Sequence, residues 1–253
     1  MRWNKPSRAW LLALALLAPA TTAAQFDHTT HHARHSAMGG VSLYDLDHRS
    51  ATLSYRANYM LGALASKDIS LVWPTGSSGT AVASYRHHGN LDYHEQQLAG
   101  GYVIRATQWL RVGAKIRYLN LGTSDSRYQP QQWLGASLLL HAQPWGNTLL
   151  ALEAGTRPWD PQRPYRWHLA AGYRPLSQLL TIIEAESEER MRLRFGMEYS
   201  YHELLHVRTG FSTHPLVLTF GLGTQWRQMA IDLAIEVHDV LGITPHTSLT
   251  LWF

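Results

Sequence analysis

The charged residues of this chain recur at alternate positions within short stretches. Arg111, Lys115 and Arg117 share one parity, and Val112, Ala114, Ile116 and Tyr118 the other. Arg192, Arg194 and Glu198 alternate with Leu193, Phe195 and Met197, and Asp232 and Glu236 with Ile231, Leu233, Ile235 and Val237. An extended chain sends successive side chains to opposite faces, so each stretch presents one charged and one apolar face. If the apolar faces point outward, Arg111, Lys115, Arg117, Arg192, Arg194, Glu198, Asp232 and Glu236 line an enclosed interior. Enclosed charges must pair or meet water. The expected chemistry is either a lumen filled by cross-strand ion pairs or a polar conduit whose basic residues favour anions. A small barrel is filled by its own side chains, which favours the ion pairs.

Other residues suggest other chemistry. His28, His31, His32 and His35 crowd the stretch QFDHTTHHARH. Nothing nearby completes a ligand set, so they are expected to be solvated histidines of an N-terminal tail. Glu184, Glu186, Glu188 and Glu189 resemble in type the paired carboxylates of a glycosidase. Clustered charges more often mark a solvated hairpin tip, and that is the expectation here. His168, His202, His206 and Ser212 supply the residue types of a hydrolytic triad, yet no G-x-S-x-G stretch accompanies them. Gly39-Gly40 lacks phosphate-loop spacing. No enzymatic activity, cofactor or metal is expected.

The elements that must position these residues are short strands. Residues 1–24 carry a basic start (Arg2, Lys5, Arg8), the apolar run AWLLALALLAPA and small residues before Gln25, the pattern of a secretory signal peptide. Beyond it, 19 of the 22 basic residues face 18 acidic ones, a near-neutral balance that gives no support to a nucleic-acid partner. The chain has no Cys, so neither disulfides nor a lipid-anchored N-terminus can hold it. Residues 25–49 form a polar segment able to plug a lumen, and 50–253 read as the barrel. Candidate strands fall near 51–57, 69–74, 79–87, 97–105, 110–120, 132–141, 147–155, 165–173, 178–185, 191–201, 204–212, 215–225, 228–237 and 246–253. That rhythm gives an all-β antiparallel transmembrane barrel of twelve to fourteen strands, with fourteen favoured. Turn residues punctuate it at Pro74-Thr75-Gly76, His88-Gly89-Asn90, Pro144-Trp145-Gly146-Asn147, Arg174-Pro175 and Leu241-Gly242. Thr156–Pro164, with three prolines, reads as an ordered loop.

A soluble periplasmic β-protein would show the same alternation. Trp73, Trp109, Trp133, Trp167, Trp226 and Trp252 near strand ends suggest interfacial girdles and favour the membrane barrel. In the last stretch Thr247, Leu249, Leu251 and Phe253 share one face. Leu249, Leu251 and Phe253 are the expected assembly signal, read by the barrel assembly machinery, with outer-membrane lipid as the surrounding partner.

The stretch Ala33-Arg34-His35-Ser36-Ala37-Met38-Gly39-Gly40 with Asp45 and Asp47, and the later Val207-Arg208-Thr209-Gly210-Phe211-Ser212-Thr213-His214-Pro215, Phe220-Gly221-Leu222-Gly223, Ile231-Asp232, His238 and Leu241-Gly242, resemble FadL-like outer-membrane barrels related to PorV and PorQ of type IX secretion. Where that family has Asn-Pro-Ala, this chain has Asn58-Tyr59-Met60-Leu61. The resemblance implies an outer-membrane location in a Gram-negative bacterium. It also implies passage of a small or hydrophobic ligand, or an accessory role in protein export beside a secretion-system component. A structural, partner-binding barrel with a plugged lumen is the alternative.

Overall fold

The computed structural model describes residues 32–41, 46–76, 79–125, 127, 129–187, 190–202 and 204–253. The expected signal peptide, His28, His31, Asp45, Glu188 and Glu189 lie outside the described residues. The strands are β1 (Ser50–Ala57), β2 (Ala65–Pro74), β3 (Gly79–Gly89), β4 (Tyr93–Arg105), β5 (Leu110–Thr123), β6 (Gln131–Trp145) and β7 (Thr148–Thr156). They continue as β8 (Tyr165–Leu176), β9 (Leu179–Glu186), β10 (Arg192–His202), β11 (Leu205–Ser212), β12 (Val217–Trp226), β13 (Met229–His238) and β14 (Gly242–Trp252). Each pairs antiparallel with its sequence neighbour, and β1 pairs with β14 from Ser50↔Trp252 to Arg56↔His246, closing a fourteen-stranded barrel. Among the described residues no helix is long and apolar enough to cross a membrane.

Antiparallel neighbours joined by short turns need no crossover, and closure leaves no unpaired edge. The two ends differ. Ser50 and Trp252 lie at what is here termed the terminal end, with the β2–β3, β4–β5, β6–β7, β8–β9, β10–β11 and β12–β13 turns. The other connections, including the 157–164 loop, lie at the distal end. There the β1–β2 link winds through two 3-10 turns, Asn58–Met60 and Gly62–Leu64, and Asn58 is pinned by its Nδ2 donating to Leu64 O at 2.7 Å.

The wall is apolar outside and polar inside. One outward row runs directly across eight strands as Ile231, Leu249, Leu53, Ile69, Tyr85, Leu98, Tyr118 and Leu134. All but the half-buried Leu249 are exposed. Outward Trp73, Trp109, Trp145, Trp226 and Phe253 ring the terminal end, and Tyr55, Tyr165 and Trp167 lie toward the distal end. So much contiguous exposed apolar surface is stable against a hydrocarbon phase, not against water.

Two expectations about turns change. Arg174-Pro175 is not the turn: both residues belong to β8, at a register shift between Tyr173 and Leu176, and the chain reverses at 177–178. Proline lacks the N–H a ladder needs, and a bulge is where a strand tolerates one. Pro144 sits in the same way within β6, between Ala142 and Trp145.

Candidate functional site

The site is the lumen. It contains a stretch of chain that enters it ahead of β1. Helix α1 (Ala33–Ala37) and residues 38–41 lie against the inner wall, where Ala33, Ala37, Met38 and Val41 are at most 1% exposed. Glycine lets the chain come so close. A Cβ at Gly196, Gly210 or Gly221 would stand 2.4–2.6 Å from Met38, Gly39 or Ala37 atoms. Gly39 itself has φ +76° and faces the Phe195 and Phe211 carbonyls, so a side chain is excluded by backbone and by space. Polar bonds then fix the segment. The Thr219 hydroxyl accepts from Gly39 N–H and donates to the Ala37 carbonyl, both at 2.9 Å. Ala33 N–H donates to Ser248 Oγ at 3.2 Å, and Ser36 Oγ meets His246 Nδ1 at 2.7 Å.

Charge pairs link that segment to the wall. Arg34 grips Glu198 with two bonds of 2.9 and 2.7 Å. Glu198 also accepts from Arg208 Nε at 2.5 Å, and Arg208 Nη1 donates to Asp232 Oδ1 at 2.6 Å. The Arg208–Asp232 bridge spans β12 because Gly223 offers no side chain there; a Cβ would lie 2.3 Å from Asp232 Oδ1.

The sequence-derived lumen residues all lie on inward positions, distributed over several small networks. Arg111 bonds Asp47 at the terminal mouth. Lys115 meets Glu153 at 2.8 Å, and Arg166 approaches the same carboxylate at 3.2 Å. Arg117 is 1% exposed, donates to Thr156 O at 2.9 Å and sets its guanidinium 5.9 Å from the Trp159 ring of the 157–164 loop. Arg192 donates to His214 O at 3.2 Å. Arg194 bonds both Glu184 and Glu186. Glu198 and Asp232 belong to the Arg208 network, and Glu236 meets Arg56 at 2.6 Å. Leu249, Leu251 and Phe253 face outward, with the Phe253 ring 5.7 Å from that of Trp73 across the β1–β14 closure.

Two expectations are corrected. Glu184 and Glu186 are not a solvated tip. They are 1% and 2% exposed because β9 continues through Glu186 and turns both carboxylates inward. His35 is buried and His32 half-buried in the lumen, not solvated in a tail, because the chain carries them in with α1.

His168, Glu184 and Glu186 place three ligand-type atoms within 4.8 Å of one another. Arg194 already fills the cation's place between the carboxylates, and His168 Nε2 stands 2.9 Å from Glu186. The hydrolytic residue types are dispersed. His206 and Ser212 stand six positions apart on β11, roughly 20 Å at strand rise, and His168 is on β8.

Beside the charge networks lies an apolar space. Leu46, Val72, Val82, Ala99, Val103 and Leu139, with Ser70, Ser84 and Gln97, surround about 60 Å³ between the entering chain and β2–β6. A larger, polar vestibule of about 320 Å³ opens at the terminal end between Arg34, Asp47, Gln108, Arg111, Gln143 and Arg174. Leu46 and His141 line both spaces. Sequence reasoning did not reach this cavity, nor Arg34 and Arg208 as anchors. The inward parity of β11, where Arg208, Gly210 and Ser212 alternate with Val207, Thr209 and Phe211, is the signal that points to Arg208.

No protein-family model and no curated protein matches the chain. Solved structures do. The toluene transporter TbuX of Ralstonia pickettii superposes with a TM-score of 0.65 at 12% identity, over 90% of this chain and 100% of that one. A FadL homologue of Pseudomonas aeruginosa gives 0.64 at 10%, over 89% and 98%. The outer membrane protein Omp33 of Acinetobacter baumannii gives 0.54 at 10%, over 83% and 100%. At these identities the likeness is one of fold, and the fold this chain has is a closed fourteen-stranded barrel built like those of the FadL homologue and the toluene transporter.

Proposed function

We propose that the chain is a non-enzymatic outer-membrane channel that passes small, largely apolar molecules through its lumen, reaching the membrane by way of the signal peptide in residues 1–24. The observation that carries this reading is the apolar cavity. Matched charges line much of the lumen, whereas Leu46, Val72, Val82, Ala99, Val103 and Leu139 give about 60 Å³ of space a largely apolar wall, to which Lys115, His32 and His141 add polar groups. Ion-paired walls hold a barrel open without attracting an apolar solute, and an apolar chamber with a few polar groups is how proteins receive one. The fold shared with a toluene transporter and a FadL homologue supports the same reading. The cavity favours passage over export assistance, the other role the family resemblance implies.

A second reading rests on a separate observation. Burial of residues 32–41 against the inner wall supports a barrel that is plugged and serves as a structural or partner-binding element. Proteoliposomes separate the two. Passage predicts faster entry of a monoaromatic hydrocarbon than in protein-free vesicles, with little ion conductance in planar bilayers. Entry no faster than in protein-free vesicles would leave the plugged reading.

A further inference from the structure

The outward wall is apolar around most of its circumference, but one region departs from this. The row distal to the apolar one described above reads Leu233, Thr247, Tyr55, Lys67, His87, Gln96, Asn120 and Gln132 in direct register. From β2 to β6 every member of it is a cation, an imidazole or a carboxamide. His94 adds to the row from one outward position further along β4. Its ring stacks on His87 at 5.9 Å and lies over Gly122, where a Cβ would stand 2.4 Å from Nε2. Asn120 Nδ2 donates to Gln96 Oε1 at 3.3 Å. Among the described residues, the remaining outward strand positions carry no charged, imidazole or carboxamide side chain except His202, at the terminal end of β10.

We propose that Lys67, His87 and His94, with the carboxamides of Gln96, Asn120 and Gln132, form a docking surface for the phosphorylated sugar head group of a glycolipid in the leaflet at the distal end. This rests on the reading of the chain as a membrane barrel. The position fits a head group. The row of Ile69, Tyr85, Leu98, Tyr118 and Leu134 lies one outward step away, roughly 7 Å toward the terminal end, so the wall passes from hydrocarbon-compatible to polar within one step. Tyrosines in that lower row mark the boundary. The charge fits as well. No carboxylate shares this outward face, and the acidic side chains above it are in connections: Asp125 is held by Arg127 at 2.6 Å, and Asp92 accepts from Ser124 at 3.3 Å. An ammonium and imidazoles complement phosphate, and carboxamides donate and accept with sugar hydroxyls. On a face meeting only acyl chains the Lys67 ammonium and the remaining polar atoms of these side chains would be costly to desolvate.

The test compares the wild-type barrel with the triple variant Lys67→Leu, His87→Leu, His94→Leu and with the triple Gln variant, which keeps polarity and removes charge. All three are extracted in mild detergent and scored for heat-modifiable gel mobility, for glycolipid retained in native mass spectra, and for binding of added phosphorylated or dephosphorylated glycolipid. The expected result is heat-modifiable barrels throughout, phosphate-dependent binding by the wild type, and a loss of about tenfold or more in both variants. Equal binding of the two glycolipids, or equal binding by wild type and variants, overturns the proposal. So does a wild type that runs as a dimer without lipid while the variants run as monomers, which would make the row an interface between copies. Loss of heat-modifiability in the wild type would instead strike the membrane-barrel reading itself.

Discussion

Arg208 holds separate parts of the fold together in the lumen. It satisfies Glu198 on β10 and Asp232 on β13, and Glu198 in turn holds Arg34 of the entering chain. Removing one partner of a buried pair leaves the other charge uncompensated, at about 3–5 kcal/mol. Arg208→Ala should therefore lower the unfolding free energy of the detergent-folded barrel in urea by that order, and adding Glu198→Gln and Asp232→Asn should recover part of the loss. A single Arg208→Ala variant as stable as wild type would mean that water solvates both carboxylates. At this scale the sequence reveals parity but not partnership. That Arg192, Arg194, Glu198, Asp232 and Glu236 share faces of their own strands follows from alternation alone. Which acid meets which base depends on inter-strand register, which turns and bulges set. Glu184 and Glu186 show the consequence of missing one boundary: ending β9 early turns a buried charge pair into a solvated tip.

At the scale of elements, strand positions were legible because outward apolar residues alternate so regularly, and all fourteen expected strands overlap observed ones. A segment able to plug the lumen was expected in residues 25–49, but the place where residues 32–41 dock was not legible. It depends on Gly196, Gly210 and Gly221, three glycines on three strands that become one smooth floor only once β10, β11 and β12 pair. Gly210→Val should push residues 38–39 off the wall, since even a Cβ meets Gly39 N at 2.4 Å. The measurable result is a rise in ion conductance in planar bilayers. Gly100→Val is the control: Gly100 faces outward on β4, where an added Cβ would meet nothing within 4 Å, and its conductance should match wild type. The closure is a second element-scale feature. Phe253 packs on Trp73, and its N–H donates to Arg49 O at 3.3 Å, tying the end of β14 to the entry of β1. Deleting Phe253 should reduce the heat-modifiable fraction recovered from membranes without changing conductance per folded barrel. Normal recovery would remove its assembly role.

For the whole molecule, the class of architecture could be read from composition and rhythm, because an apolar outside and a polar inside impose alternation everywhere. The cavity could not, since it arises where Leu46, in the segment just ahead of β1, meets Val82, Val103 and Leu139 of β3, β4 and β6. That meeting also places Leu46 between the apolar space and the terminal vestibule, which share it as lining. Its carbonyl accepts from Thr80 Oγ1 at 3.0 Å, so the backbone is held while the side chain, with that of His141, lies between the two spaces. Leu46→Gly removes the leucine side chain and should quicken hydrocarbon entry into proteoliposomes. Ala99→Trp adds a large side chain to a buried position in the cavity wall and should slow entry toward the protein-free rate. Both should leave heat-modifiability intact, because neither touches a charge pair or the closure. Opposite signs for the two variants are what a route through this cavity requires. If both change entry in the same direction, or neither changes it, the solute crosses elsewhere and the apolar space is only packing.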